Sequence, residues 1–438
     1  MYKQRLSPFL FKARPDRSSR PVRSEFSPFW LLCGLGLCAI FSSTMAKSPV
    51  LPLFAQHLGA GKADIGLIAA ASTIIGIFTN LPAGALSDVW GRKRVILVAA
   101  LVFASAPFLY FFVTTPWQLV VVRVYHGLAT AIFGPVALAY VADLFQQRRG
   151  ENMAWYSSAT LVGRFLAPTV GGFVLSLAVL PAVVALFLPL GLPQTRLPYL
   201  LVYLVCGLSG LVALFLALRL PDLGGGGGAR HWPGLRPEAQ PEGYPASTPV
   251  HEKRMPRPYL ERRILLTSGT EAAQYLAYGA LETFLPLYAL AVGLAEWEIG
   301  LIFGFQTVTT LLTKPLMGRL SDRLGRRALI ALGLLVSAAA LAAVPWTTSV
   351  LFLAILAMFF GLGVAVVTSS TAAFVADLAH GTAHGAALGT LGTIMDVGHA
   401  AGPIVAGLLI ARLSYAPAFA IIAAVLVLAA GAFLATVR

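Results

Sequence analysis

A carboxylate and a histidine one helical turn apart, Asp396 and His399, sit inside an apolar run of this chain. Upstream, Glu271, Gln274, Tyr275, Tyr278 and Glu282 recur at helical spacing on an otherwise apolar segment. Lys47, Arg123 and Arg164 lie in three further apolar runs. A charge in the middle of a membrane helix costs roughly 2.5–3.5 kcal/mol on insertion scales, so such groups should face a cavity or one another. The chemistry they suit is proton movement. A carboxyl withdrawn from water can hold a proton taken from one side and release it to the other. Glu271 and Asp396 are the best placed for that role, with Arg123 and His399 as coupling partners. Lys47, Asn80, Arg164, Gln274, Tyr275, Tyr278, Glu282 and Gln306 are candidates to line a cavity for a small molecule. Glu282 and Lys47 fall nearer the outer mouth and are the weaker members. Structural roles stay open: Asp396 as a static pair with Arg164 or His399, Glu271 as an interfacial carboxyl, Arg123 as a side chain reaching outward. The hydroxyls of Thr307, Thr310 and Thr368 to Thr371 more often bond their own backbone than a ligand.

What the chain lacks narrows the reading. No Gly-x-x-x-x-Gly-Lys-Ser/Thr loop is present, and no cysteine or histidine cluster has metal-ligand spacing, so neither a metal nor another cofactor is expected. His380 and His384 flank a loop with no acid between them. Cys33, Cys38 and Cys206 lie in apolar runs and read as small core residues.

The elements that must position these groups are membrane helices. Of 438 residues 58% are hydrophobic and only 11% charged, and the mean hydropathy is +0.79. A soluble domain needs far more surface charge. About twelve apolar windows of roughly 20 residues fit along the chain. All should be helices, since lipid offers no partner for unpaired backbone groups. The net charge of +14 is unevenly placed: with both termini on one side, most of the 32 basic residues collect there. That bias puts the termini in the cytoplasm and makes the charge an orientation signal, with no nucleic-acid partner expected. The boundaries predicted are a basic cytoplasmic tail at 1–27, a six-helix bundle at 28–218, a disordered cytoplasmic linker at 219–263 and a second bundle at 264–438. The linker contains the run Gly224 to Gly228. The basic start reads as a tail leading into the first helix, not as a signal peptide. Residues 180–197, apolar and proline-rich, read as an interfacial or re-entrant piece.

The second bundle repeats the first. Gly84-Ala-Leu-Ser-Asp-Val-Trp-Gly-Arg-Lys-Arg94 returns as Gly318-Arg-Leu-Ser-Asp-Arg-Leu-Gly-Arg-Arg327, and the shift of 234 residues holds for Leu51-Pro52-Leu53, Gly127-Leu128 and Val141-Ala142-Asp143-Leu144. After one inserted residue, Pro168 falls on Pro403 and Gly172 on Gly407. One register over so many positions means two copies of one unit running in the same sense.

These paired hairpins resemble the signature loop of the major facilitator superfamily. The resemblance implies an all-α membrane protein of twelve transmembrane helices in two parallel-repeat six-helix bundles. It implies a conformational latch made of Gly84, Asp88, Gly91, Arg92, Asp143 and Arg149 in the first copy. Gly318, Asp322, Gly325 and Arg326 would form the second. Asp88 would face the start of the eleventh helix near Thr382–Gly385 in the outward-open state, Arg92 would pair with Asp143, and Arg149 would extend the network. The second copy has His380-Gly-Thr-Ala-His384 and no arginine beyond Asp377, so a weaker latch is expected there. Arg123-Val-Tyr-His-Gly127 resembles the family's Arg-x-x-x-Gly element, tied to coupling in proton-driven members. Gly163-Arg-Phe-Leu-Ala-Pro168-Thr-Val-Gly171-Gly172 resembles the antiporters' Gly-Pro-x-x-Gly-Gly motif, with Ala167 where a Gly is usual. Gly398, Gly402, Pro403 and Gly407 echo it, and both are expected to let the two halves pack closely. The chain looks most like drug:proton antiporters, without the acid many of them carry in the first helix. The function expected is export of a small molecule by proton antiport across the cytoplasmic membrane, by a monomer whose partners are substrate, protons and lipid. The alternative is a symporter or facilitator for an organic anion or sugar derivative. A sensor or scaffold that transports nothing is the reading from a different class. No enzyme constellation is evident.

Overall fold

In the computed structural model, residues 28–145, 149–187, 189, 193–222, 261–379 and 384–437 are described. The tail at 1–27 and most of the 219–263 linker lie outside them, as do His380 and Thr382. Among the described residues, ten helical stretches are long and apolar enough to cross a membrane. Most are single helices: α3 (Lys62–Trp90), α4 (Arg92–Leu109), α5 (Pro116–Leu144), α6 (Arg149–Leu177), α8 (Leu197–Arg219), α11 (Arg326–Ala343), α12 (Val350–Leu378), α13 (His384–Leu413) and α14 (Tyr415–Thr436). The tenth is broken into α1 (Pro28–Met45) and α2 (Val50–His57). Two more helices of equal length, α9 (Arg262–Ala291) and α10 (Glu296–Leu324), carry more polar residues and complete a twelve-helix fold. The short α7 (Pro181–Phe187) has no buried residue, unlike a re-entrant piece, which would have to be enclosed by protein.

Helix ends differ from expectation in an instructive way. The Pro49/Pro52 pair should end the first span, yet after a turn at 46–49 it resumes as α2, with Pro52 in its first turn, where a missing N–H is harmless. The signature stretch should be a hairpin whose glycines make the turn. Instead Gly84 to Trp90 are the last two turns of α3, and the reversal rests on Gly91 alone, at φ 93°. Gly325 does the same at φ 91°. Both lie in the left-handed region, which a β-carbon disfavours.

Each bundle packs by the same plan. α1 lies on α6 and α8, and α3 on α5. In the second copy α9 lies on α13, and α10 on α12. The halves meet through α3 against α13 and α6 against α10. These cross-contacts sit at the end opposite the signature turns. Gly66 abuts the Pro403 backbone, and a β-carbon on Gly407 would lie 2.5 Å from the Lys62 carbonyl oxygen. One on Gly172 would lie 2.5 Å from the Glu296 carbonyl, and one on Gly300 would lie 2.8 Å from that of Pro168. At the signature-turn end, Gly84 and Gly318 have nothing within 4 Å of where a β-carbon would stand, and the Asp88 and Asp322 side chains are 61% and 60% exposed. The molecule is shut at the far end and open at the end of the signature turns.

Candidate functional site

Among the described residues the turn networks come out alike in the two copies. Arg92 bridges Asp88 at 2.5 Å and Asp143 at 3.0 Å. Arg326 bridges Asp322 and Asp377, both at 3.0 Å. The missing arginine after Asp377 predicts a weaker second latch. The bridge does not depend on that position: the arginine at the start of the next helix reaches both acids. Asp88 engages its own turn here. Of its expected target near Thr382–Gly385 only the backbone of the last two residues is described, and the Arg149 side chain lies outside the described residues.

The antiporter-type glycines divide. Gly172, Pro168, Pro403 and Gly407 stand at the contact between halves, whereas Gly163 abuts the Leu37 carbonyl and Gly398 that of Ala272, each within its own bundle. Gly402 meets Leu276, and Gly171 meets Met45, again within one bundle. The expectation that all lie between the halves is corrected. Helix geometry forbids it, because nine residues are two and a half turns and put Gly163 and Gly172 on opposite faces.

Between the bundles a polar cluster closes the top of the cavity. Lys47 Nζ lies 2.8 Å from Glu282 Oε2 and 3.3 Å from His399 Nε2, and His399 Nε2 lies 3.3 Å from the same carboxylate oxygen. Glu282 is 9% exposed. Tyr275 and Tyr278 flank the imidazole, with ring centroids 5.7 Å and 5.6 Å from it. Lys47 comes from the break between α1 and α2, so the helix interruption brings a cation to the cavity that a straight helix would carry past. The two weakest candidates of the sequence thus form an ion pair that joins the halves. Nothing in one copy signals it, since Lys47 and Glu282 are 235 positions apart in different bundles.

The helical stripe on α9 does not face one path. Glu271, 4% exposed, accepts a 2.6 Å hydrogen bond from Thr371 on α12. Gln274 is fully buried and neither of its amide atoms has a partner. Asp396 makes no ion pair among the described residues and is half-buried, so the static pairing with Arg164 or His399 does not occur here. Arg164 is exposed towards the space between the bundles, and Asn80 is half-buried. Gln306 is buried with an unpartnered Oε1. Arg123 is 3% exposed and bonds Ser72 at 2.5 Å, so it does not reach outward. Thr307, Thr310 and Thr371 do donate to their own backbone. One cation escapes the sequence reading: Lys314 on α10, exposed, whose charge acts on Glu271 and which also feels Arg164. The repeat shift pairs it with Asn80, so a polar residue at both copies is the available signal.

The family model for the Major Facilitator Superfamily matches residues 32–295 and 267–438. The chain belongs to that superfamily and is an integral, multi-pass membrane transport protein. It is 32% identical over 126 residues to an uncharacterized MFS-type transporter of Methanocaldococcus jannaschii, over 28% of this chain and 33% of the relative. It is 26% identical over 149 residues to the quinolone resistance protein NorA of Staphylococcus aureus, over 34% of this chain and 36% of that one. The matches span about a third of these relatives' length. In fold it resembles a bacterial homolog of the human lysosomal transporter Spinster in an inward-facing, occupied conformation. The TM-score is 0.76 and the identity 16%, over 93% of this chain and 95% of that one. The nucleoside transporter NupG gives a TM-score of 0.70 and 16% identity, over 92% of this chain and 98% of that one.

Proposed function

We propose that this chain exports a small molecule by proton antiport, its two bundles (28–218 and 264–438, tethered by 219–263) alternating access to the space between them. The observation that carries the reading is the Lys47–Glu282–His399 cluster across the shut end. Opening that end must separate Lys47 from Glu282, and a carboxylate stripped of its cation in a dry setting is costly unless it takes up a proton. Proton uptake on Glu282 from the far side and its release after the far end shuts would tie proton entry to each cycle. Glu271 lies eleven residues before it on α9, about 16 Å at 1.5 Å per residue, and Asp396 lies one turn before His399 on α13. Both are suited to pass that proton towards the open end. Tyr275 and Tyr278 offer flat apolar surface, and Lys47, Arg164 and Lys314 offer positive charge. Amphiphilic anionic or zwitterionic compounds fit such walls as well as neutral drugs do. The likeness to a quinolone resistance protein supports efflux, and the basic bias supports an open end in the cytoplasm with both termini there. The same three cations favour a second reading, symport or facilitated diffusion of an organic anion or sugar derivative.

Proteoliposomes with a trapped pH dye test this, challenged in turn with lipophilic cations, organic anions and sugars. Cargo-dependent proton movement opposite to the cargo is expected, abolished by Glu282→Gln and reduced by Glu271→Gln and Asp396→Asn. Cargo flux with no proton movement sinks the antiport reading and leaves a facilitator. Proton movement in the same direction as cargo turns it into a symporter. No flux of any compound, with the protein folded, favours a sensor or scaffold.

A further inference from the structure

The charges around the cavity pair off until one of each sign is left. Lys47 and Glu282 are 2.8 Å apart, and Lys314 and Glu271 feel each other's charge. Arg164 on α6 and Asp396 on α13 make no ion pair and no side-chain hydrogen bond among the described residues. They stand on opposite walls. Under the repeat shift of 235, Arg164 falls on His399, so the two occupy matching depths in the two bundles. Asp396 lies three residues, about 4.5 Å, nearer the open end than His399. Arg164 faces the second bundle, because its charge acts on Tyr275, Tyr278 and His399 there. Tyr275 is the point the two share: its hydroxyl feels both Arg164 and Asp396, whereas the cation acting on Asp396 itself is Lys47. Two opposite charges thus flank one tyrosine without meeting. The rings of Tyr275 and Tyr278, centroids 5.9 Å apart, are half-buried, and neither hydroxyl bonds another described side chain. A purely anionic guest at Arg164 would leave Asp396 unanswered beside it, and a purely cationic one at Asp396 would face Arg164. A guest carrying both charges answers both walls.

We propose that the cargo is a compact aromatic zwitterion, built like an aromatic amino acid. Its carboxylate lies at Arg164, its ammonium at Asp396 and its ring against Tyr275 and Tyr278. This rests on the reading of the space between the bundles as the cargo site, and not on the proton coupling. Asp396 is free to pass a proton once the ammonium has left.

The test is thermal unfolding of the purified full chain, titrated with five compounds. Phenylalanine and tryptophan carry both charges and a ring, hydrocinnamate the ring and acid alone, phenethylamine the ring and amine alone, and alanine both charges without a ring. Phenylalanine and tryptophan should raise the midpoint saturably, as ligands of the folded state do. Each of the other three should bind about tenfold or more weakly, the loss expected for one charge-assisted hydrogen bond or a buried ring. Asp396→Asn should erase the advantage of phenylalanine over hydrocinnamate and keep that over phenethylamine. Arg164→Gln should do the reverse, a crossing-over that a merely structural role would not give. Neither side chain has a partner to lose, and either variant carries the test alone. Hydrocinnamate or phenethylamine binding the unaltered chain as well as phenylalanine does would overturn the proposal, leaving a plain anion or cation as cargo. No response to either amino acid would also overturn it, as would variants that weaken all five compounds alike. None of those results touches the proton flux in vesicles. Conversely, zwitterion binding without proton movement would sink the antiport and leave this site standing.

Discussion

The two bundles share a frame and differ in what they bury. In the first, the enclosed ionic group is a cation, Arg123, and its repeat partner is Ala357. In the second it is a carboxylate, Glu271, matched by Leu37 in the first copy. Around these the frame barely varies. Gly91 and Gly325 turn alike, Arg92 and Arg326 each bridge two acids, and Gly172 and Gly407 each admit a backbone from the other half. Duplication has kept the residues whose replacement would block a turn or a helix crossing. It has let the polar interior diverge, because a side chain inside one bundle answers only to its own neighbours.

The comparison can be broken where the halves join. Lys47→Met leaves Glu282 buried with only His399 beside it, and the loss of half of a buried pair costs about 3 kcal/mol or more. The far end should spring open, read as faster labelling of a cysteine placed at Lys62. Lys47→Met with Glu282→Gln should restore much of the closure, and failure of that rescue would show that the pair is not what holds the end. Next in size is Gly66→Val, which drives a side chain into the Pro403 backbone. Overpacking of about 1–3 kcal/mol should hold the far end apart and cut transport roughly tenfold, whereas Gly84→Ala, open to space here, should leave the far end as shut as before. Equal effects of the two would deny that these ends differ. Thr371→Val removes the hydrogen bond to Glu271, worth about 1.5–3 kcal/mol if the acid is charged and nearer 1 if it holds a proton. The measured change in unfolding stability therefore reports which form the second bundle encloses. Smallest are Asp88→Asn and Asp322→Asn. Each breaks an exposed pair one turn long, worth about 0.3–0.5 kcal/mol, and matched small changes in the midpoint are expected for the matched copies. A clear excess at Asp88 would restore the unequal latch that the missing arginine suggests.

The frame is legible because it repeats: one register across 234 residues fixes the pairing of helices, and glycines mark the crossings. The cluster at the shut end is not. Lys47 and Glu282 look peripheral when each helix is measured from its own ends, and only the break at 46–49 with the contact between halves makes them central. Lys314 escapes for a related reason, since its neighbour Glu271 lies on another helix and no spacing within α10 announces it. The glycine motifs point to one interface by resemblance although their nine-residue span already implies two, a point that helix periodicity alone can settle.

The polar character of α9 and α10 also bears on how the chain is made. Among the described residues ten stretches are long and apolar enough to cross a bilayer, but these two are not among them, and they follow one another directly after the linker. Both therefore leave the ribosome as poor substrates for insertion, and Glu271 stays without its Thr371 partner until α12 has been synthesised. During that interval the second bundle depends on the insertion machinery to retain both segments. A chain cut after α10 should leave them outside the bilayer, as glycosylation sites placed on either side of each would report. The polar residues of α9 and α10 in the finished protein are thus the ones that make its second half slow to assemble.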